Sequence, residues 1–267
     1  MRSMIKVLVI GSNSYIGKKF REYIEEMNSS DISVNLVSAI DGSWRKEDFS
    51  YYDVVLHLAA IVHIKETSNM EKLYNDINHL LAVDVAQKAK DNGVKQFVFM
   101  STAAVYGQQN GCITRETIPM PTTFYGRSKL LAEKDIMKLQ DNNYQVVILR
   151  PPMVYGEGCK GNYMRLVKLA RFTRIFPEYH NKRSMINIDY LCKYMIQLIQ
   201  KGCSGYYHPQ DDKYADTCVL IVKLRQEMGK ETILFRFLNI GIKLLIQKNV
   251  SIFRKMFGDL YYDKSLV

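Results

Sequence analysis

Apolar residues in the first half of the chain fall into short runs separated by stretches of helical spacing. Ile5 to Ile10 is a mostly β-branched apolar run broken only by Lys6, the pattern of a strand buried on both faces. Gly11 to Gly17 reads as a turn, and Lys18 to Met27 sets Phe20 and Ile24 four apart on one helical face. Val34–Val37 and Asp53–Leu58 read as strands, Ile77–Asn92 as a helix, Gln96–Met100 as a strand, Ser128–Leu139 as a helix and Val146–Leu149 as a strand. Strands alternating with helices predict right-handed βαβ units, and hence an α/β fold with a doubly wound parallel sheet. After Arg150 the pattern changes. Pro151, Pro152, Gly156, Gly158 and Gly161 mark a loop region, Tyr163–Arg171 and Tyr190–Gln200 read as helices, and from about Ala215 the chain is mainly helical and rich in aromatic residues. One lobe is expected over 1–155, with 184–200 returning to it, and a smaller, mainly helical lobe over 156–183 and 201–267.

Composition narrows this picture. The 267 residues suffice for one large core or two closely joined lobes, and 47% hydrophobic with 24% charged residues excludes a disordered chain. The formal net charge is +10, but the sequence has no dense Lys/Arg block and no nucleic-acid motif, so nucleic acid is not expected as a partner. An anionic, pyrophosphate-bearing substrate is a sufficient partner for some of the charge. The cysteines, Cys112, Cys159, Cys192, Cys203 and Cys218, are odd in number and form no C-x-x-C pair, which predicts a reducing, cytoplasmic setting and no metal site. The apolar run at the N-terminus is short and leads into a Gly-rich turn, so it reads as a strand rather than a signal peptide. No apolar run approaches the roughly 20 residues that span a bilayer.

Gly11-Ser12-Asn13-Ser14-Tyr15-Ile16-Gly17 ends a predicted strand and opens a predicted helix, whose N-terminal N–H groups attract phosphate. Gly11 permits the tight turn, and Gly17 lets the helix approach the sheet. The spacing resembles the G-x-x-G-x-x-G turn of the extended short-chain dehydrogenase/reductases, with Ser14 in place of the middle glycine. That resemblance implies a Rossmann-type, NAD(P)-binding first domain, with Gly11, Ser14, Tyr15, Ile16 and Gly17 on the pyrophosphate. Ser38 falls where an acidic residue holds the adenine ribose of NAD. Its lack of charge leans toward NADP(H), while Asp41, with Arg45 nearby, leaves NAD open. His57-Leu58-Ala59-Ala60 resembles the family's H-L-A-A element, in which Leu58, Ala59 and Ala60 leave room for the cofactor; His57 reads as a packed core residue.

Tyr125-Gly126-Arg127-Ser128-Lys129 sets Tyr125 and Lys129 one helical turn apart on one face. An ammonium there is expected to lower the phenol pKa from about 10, so that Tyr125 can exchange a proton with a sugar oxygen. Ser101-Thr102-Ala103-Ala104-Val105-Tyr106-Gly107 resembles the family's S-[ST]-x-x-V-Y-G element, and Arg150-Pro151-Pro152-Met153-Val154-Tyr155-Gly156 its R-P-x-x-V-Y-G stretch. By this resemblance Thr102, Tyr125 and Lys129 are catalytic. Ser101, Asn78, Pro152 and the Tyr125–Lys129 pair border the cofactor, Asn78 as an amide supporting active-site backbone.

On the substrate side, Asn162 and Arg183 resemble the residues that bind a nucleotide-sugar diphosphate, for which a guanidinium is well shaped. Asp189 reads as a helix cap. The related dehydratases carry Asp-Glu after the catalytic Thr; here Ala103 and Ala104 stand there, which excludes their usual mechanism. Runs such as VKQFVFMSTAAVYG, LRPPMVYG, GNYMRLVKLA and NKRSMINI resemble a bacterial capsule and O-antigen group within the epimerase/dehydratase family. This implies reduction of the C4 ketone of a UDP-4-keto-6-deoxy-N-acetylhexosamine, with a UDP-glucose/UDP-GlcNAc 4-epimerase as the alternative. Family likeness also implies a homodimer through helices near Ile77–Asn92 and Ser128–Leu139. Thr232–Leu260 mixes aliphatic, aromatic and basic side chains. It reads either as helices closing the substrate pocket or as a surface docking on a membrane or glycosyltransferase, and in a non-catalytic scaffold the docking would be the whole role.

Overall fold

The first apolar run is a strand, β1 (Ile5–Ile10), with Val7, Leu8, Val9 and Ile10 fully buried. The computed structural model describes residues 4–27, 31–62 and 66–266. The chain continues through α1 (Tyr15–Glu26), β2 (Ile32–Val37), β3 (Val54–His57), α2 (Glu71–Tyr74), a π-helical turn (Asn75–Leu80), α3 (Leu81–Asp91), β4 (Gln96–Met100), β5 (Gly111–Ile113), α4 (Phe124–Met137), β6 (Gln145–Leu149) and β7 (Met153–Tyr155). It ends with α5 (Asn162–Phe172), β8 (Ile175–Phe176), β9 (Met185–Asn187), α6 (Ile188–Gln200), β10 (Gly205–Tyr207), α7 (Thr217–Glu227), β11 (Ile233–Leu234), α8 (Leu238–Gln247), α9 (Ser251–Phe257) and β12 (Leu260–Tyr262).

Two compact units result. The first comprises Met1–Gly107, Pro119–Pro151 and Ile188–Pro209, and the second Gln108–Ile118, Pro152–Asn187 and Gln210–Val267. Strand pairing accounts for the breaks: β5 pairs with β12 inside the second unit, and β10 pairs with β6 inside the first.

The first unit is built on a six-stranded parallel sheet of order β10-β6-β4-β3-β1-β2. Because β1 lies between β2 and β3, the winding reverses there and leaves a crevice at the carboxyl ends of β1 and β3, where ligands of open α/β sheets bind. Period-two alternation gives the strands two buried faces. Leu8, Ile10, Val55, Phe97, Phe99, Val146 and Ile148 form one core with Ala82, Val85, Ala86 and Ala89 of α3 and Ala132 and Ile136 of α4. The intervening Val7, Val9, Leu56 and Val98 are equally buried, and α1 packs with α6. Each fully buried aliphatic side chain contributes about 1.5–3 kcal/mol.

Helix starts lie earlier than apolar periodicity suggests, because they are set by polar caps. Ser14 starts α1, and Thr123 starts α4 by accepting from the Gly126 N–H at 3.0 Å. Tyr125 consequently sits in the first turn of α4.

The second unit surrounds a core of Ala170, Phe176, Cys218, Ile221, Leu224, Ile242 and Phe257. Three two-stranded parallel pairs, β7–β9, β8–β11 and β5–β12, complete it. All five cysteines are free thiols, and no helix among the described residues is long and apolar enough to cross a membrane.

Candidate active site

Gly11 ends β1 with a φ of +120°, and a Cβ there would stand 3.0 Å from the Ala59 nitrogen. The turn therefore rests on the backbone leaving β3, where Leu58 donates its N–H to the Ile10 carbonyl at 2.9 Å. Leu58 and Ala59 are buried and Ala60 is half-buried. Ser14 has a structural role that its hydroxyl explains: Oγ accepts from the Gly17 N–H at 2.9 Å and caps α1. Tyr15 and Ile16 form the first turn, at the positive end of the helix dipole. A backbone crevice at the sheet's switch point, closed to any Cβ at Gly11 and facing a helix N-terminus, fits a dinucleotide pyrophosphate.

Ser38 directly follows β2. Its Oγ accepts from the Ile40 N–H at 3.3 Å, and its carbonyl accepts from Ser43 Oγ at 3.1 Å. Asp41 accepts from the Ser43 N–H at 2.9 Å, and this bond holds its carboxyl below the usual range. The Arg45 guanidinium stacks 4.5 Å from the Trp44 ring centroid.

Asn78 is fully buried in the π-helical turn, a distortion often found at functional sites. Its Oδ1 accepts from the Ile61 N–H at 2.7 Å, and its Nδ2 donates to the Ile61 carbonyl at 3.1 Å and to Ser128 Oγ at 3.3 Å. Ser128 Oγ donates in turn to the Tyr125 carbonyl at 3.0 Å. One amide thus ties the loop after β3 to the helix that carries Tyr125 and Lys129.

Thr102 leaves β4 in extended conformation, and its Oγ1 accepts from the Ala104 N–H at 3.1 Å. The turn it starts approaches α4 so closely that a Cβ on Gly126 would lie 2.7 Å from the Ala104 carbonyl oxygen. The glycine after Tyr125 lets this turn close on α4, and the Thr102 hydroxyl pulls the Tyr125 phenol downward.

The electrostatics correct one expectation. Burial pushes the Tyr125 phenol up to about 12, against the downward pull of Thr102, with Tyr74 adding to the rise. The Tyr74 ring lies edge-on, 6.5 Å away. Lys129 is not among the groups that shift this phenol; its Nζ donates to the Met100 carbonyl at 2.7 Å and lies 4.4 Å from the Phe99 ring centroid. Burial brings Lys129 itself down to about 7, partly opposed by Glu133. His57 is packed between Phe97 and Phe99, and burial takes it down to about 3, leaving it neutral.

Behind Lys129 lies a buried polar network. Arg150 donates through Nη2 to Glu133 Oε2 at 2.6 Å, through Nε to Oε1 at 3.1 Å and through Nη1 to Tyr106 OH at 2.8 Å. Ser101 Oγ donates to Glu133, and Tyr106 OH is 2.7 Å from His208 Nε2. The hydroxyl of Ser101 therefore faces Glu133.

Sequence reasoning missed Glu66. Its carboxylate accepts from the Phe124 and Tyr125 N–H groups, both at 3.0 Å, at the positive end of α4. The partners are 58 and 59 residues apart, so no local pattern announces the cap.

The remaining expected residues lie in the second unit. Pro152 precedes β7, and Asn162 is the exposed first residue of α5. Arg183 pairs its backbone with Ala215 and donates Nη1 to the Gly258 carbonyl at 2.9 Å. Burial lowers the Arg183 pKa, and Asp259 opposes that shift.

Residues 7–201 match the NAD dependent epimerase/dehydratase family. The chain belongs to that family. Among relatives of this epimerase/dehydratase chain, a UDP-glucose 4-epimerase from Vibrio cholerae is 33% identical over 67% of the chain. The match spans 58% of that relative's own length. Among solved structures, a UDP-glucuronic acid 4-epimerase from Bacillus cereus in complex with NAD superposes with a TM-score of 0.73 at 20% identity, covering 98% of this chain and 90% of that one. A dTDP-4-dehydrorhamnose reductase from Bacillus anthracis in complex with NADP gives 0.70 at 19%, covering 89% and 86%. At these identities the two structures establish the shared Rossmann-type fold.

Proposed function

We propose that this family member is an NAD(P)-dependent nucleotide-sugar enzyme that reduces the C4 ketone of a UDP-4-keto-6-deoxy-N-acetylhexosamine for surface polysaccharide synthesis. The observation that carries this reading is Tyr125, a phenol held protonated beside Thr102 and one helical turn from Lys129. Carbonyl reduction needs a proton donor for the forming alkoxide, and a protonated phenol is one.

When bound, the reduced nicotinamide supplies the hydride to C4. Gly11, Ser14, Tyr15, Ile16 and Gly17 would hold the pyrophosphate, and Leu58, Ala59 and Ala60 the body of the cofactor. Asn78 and Ser101 support the backbone around it, and Pro152 borders it. Uncharged Ser38, with Arg45 in the following loop, favours NADP(H) over NAD. Thr102 orients the carbonyl, and Tyr125 gives its proton to O4 and regains one from solvent. Lys129 uses one of its donors on Met100, leaving the others for the nicotinamide ribose. Asn162 and Arg183 would take the substrate diphosphate. Ala103 and Ala104 supply no acid or base for water elimination. Exposed Leu73, Leu80 and Leu131 on the α2–π-turn segment and α4 support a homodimer.

The names of relatives such as the Vibrio protein favour a second reading, 4-epimerisation of a UDP-sugar. That reaction begins by taking a proton from a hydroxyl, which needs Tyr125 as phenolate, and it returns the hydride within the turnover. Mixing the protein with NADPH or NADH and a UDP-4-keto-6-deoxy-N-acetylhexosamine separates the two. Reduction consumes one cofactor per sugar; interconversion of UDP-glucose and UDP-galactose without loss of reduced cofactor would overturn the reductase reading.

A further inference from the structure

The second unit turns large apolar side chains outward in one stretch. Residues 233–238 are all exposed, and five of the six are Ile233, Leu234, Phe235, Phe237 and Leu238. The following helix continues the pattern. At about 100° per residue, α8 turns Ile242 into the core and Ile240 and Leu244 to the opposite side. Phe237 is 78% exposed, Ile240 67% and Leu244 52%. Ile175, paired in register with Ile233, and Phe172 at the end of α5 are exposed as well. A helix apolar on two sides requires a second apolar environment, and soluble surfaces rarely carry so many bulky apolar groups together.

Charge identifies that environment. Residues 162–175 contain four basic and no acidic side chains, Arg165, Lys168, Arg171 and Arg174. Residues 228–258 contain six basic side chains, among them Lys230, Lys243 and Lys248, against the single acid Glu231; one of the six, Arg236, is held by Glu178 through Nε and Nη2. These two segments of one unit hold nine of the chain's ten net positive charges. Apolar groups mixed with an excess of Lys and Arg match a lipid surface bearing anionic headgroups, where the apolar side chains enter the acyl boundary and the basic ones meet phosphate. A protein partner would have to supply both a large apolar face and a matching density of acid.

We propose that the α8 and β8–β11 face of the second unit is a docking surface for anionic phospholipid membranes, holding the protein peripherally at the bilayer. This surface is independent of the reaction assigned to Tyr125.

Flotation of the full chain with phosphatidylcholine vesicles, with and without phosphatidylglycerol, tests it. Binding is expected with the anionic vesicles and not with the neutral ones. Phe237→Ser with Ile240→Ser should abolish flotation while circular dichroism and Tm stay unchanged. Lys243→Ser with Lys248→Ser should weaken it about thirtyfold, at roughly 1 kcal/mol per basic residue near the surface. No flotation with anionic vesicles, equal flotation with neutral ones, or wild-type flotation of the Phe237/Ile240 variant would overturn the proposal. So would a lipid-independent dimer in ultracentrifugation that the Phe237/Ile240 variant dissolves, since the face would then belong to a second copy.

Discussion

The two units depart from the rule of apolar inside and polar outside in opposite directions. The first buries Lys129, Glu133, Arg150, Asn78 and His57, whereas the second exposes Phe237, Ile240 and Leu244. Burying charge is unfavourable unless every partner is in place, and exposing large apolar groups forgoes the main stabilising term of folding. In the first unit the charged pair and the amide have their partners: Glu133 and Arg150 form a two-pronged ion pair, and Asn78 satisfies both backbone polar groups of Ile61, while His57 stays neutral with both ring nitrogens buried and unbonded. In the second, the exposed apolar face awaits an environment. On the two proposals made above, the inward departure serves chemistry and the outward one location.

The contrast is tested most strongly at its chemical end. Tyr125→Phe removes the proton donor and should reduce kcat by about 10²–10⁴-fold, with Tm unchanged. A loss under threefold in a reduction assay would transfer the role to another group. Glu133→Gln leaves Arg150 buried without its counter-ion and should destabilise the protein by about 3–5 kcal/mol in urea unfolding. A change below 1 kcal/mol would mean that the pair is hydrated. Lys129→Met tests buried charge through pH. Its pKa is lowered from 10.5 to about 7 on folding, so between these values the unfolded chain binds the extra proton and the folded protein gains stability as pH rises. The variant should therefore have the higher Tm at about pH 7, with the advantage shrinking toward about pH 10; a constant difference would contradict a desolvated ammonium. At the other end of the comparison, Phe237→Ser should change stability by no more than about 0.5 kcal/mol, because its ring gains little from the folded core.

Much of the first unit was legible because its chemistry is local. The Gly11–Gly17 turn, the Ser101–Gly107 run and the Tyr125–Lys129 spacing are short, and each sits at the carboxyl end of a strand or at a helix start that hydrophobic periodicity places to within a few residues. Helix starts were displaced because caps are single polar residues, Ser14 and Thr123, that an apolar period does not register. The π-turn around Asn78 left no mark in the apolar pattern, and the bonds of Asn78 to Ile61 join residues 17 apart. Glu66 and the Glu133–Arg150 pair escaped because their partners come from distant parts of the chain. The direction of the Tyr125 shift also escaped: spacing puts an ammonium one turn away, but only three dimensions reveal that it is turned onto the Met100 carbonyl and that burial dominates. In the second unit the mixed apolar and basic composition of 232–260 was legible, while its exposure was not.

The central claim is that Tyr125 enters the reaction as a protonated phenol. Following its ring-carbon NMR resonance with pH in ¹³C-tyrosine-labelled protein free of cofactor, assigned by comparison with Tyr125→Phe, measures this directly. The phenol should remain protonated through neutral pH and titrate only near 12; a midpoint at or below about 8, well under the usual tyrosine value near 10, would contradict the account.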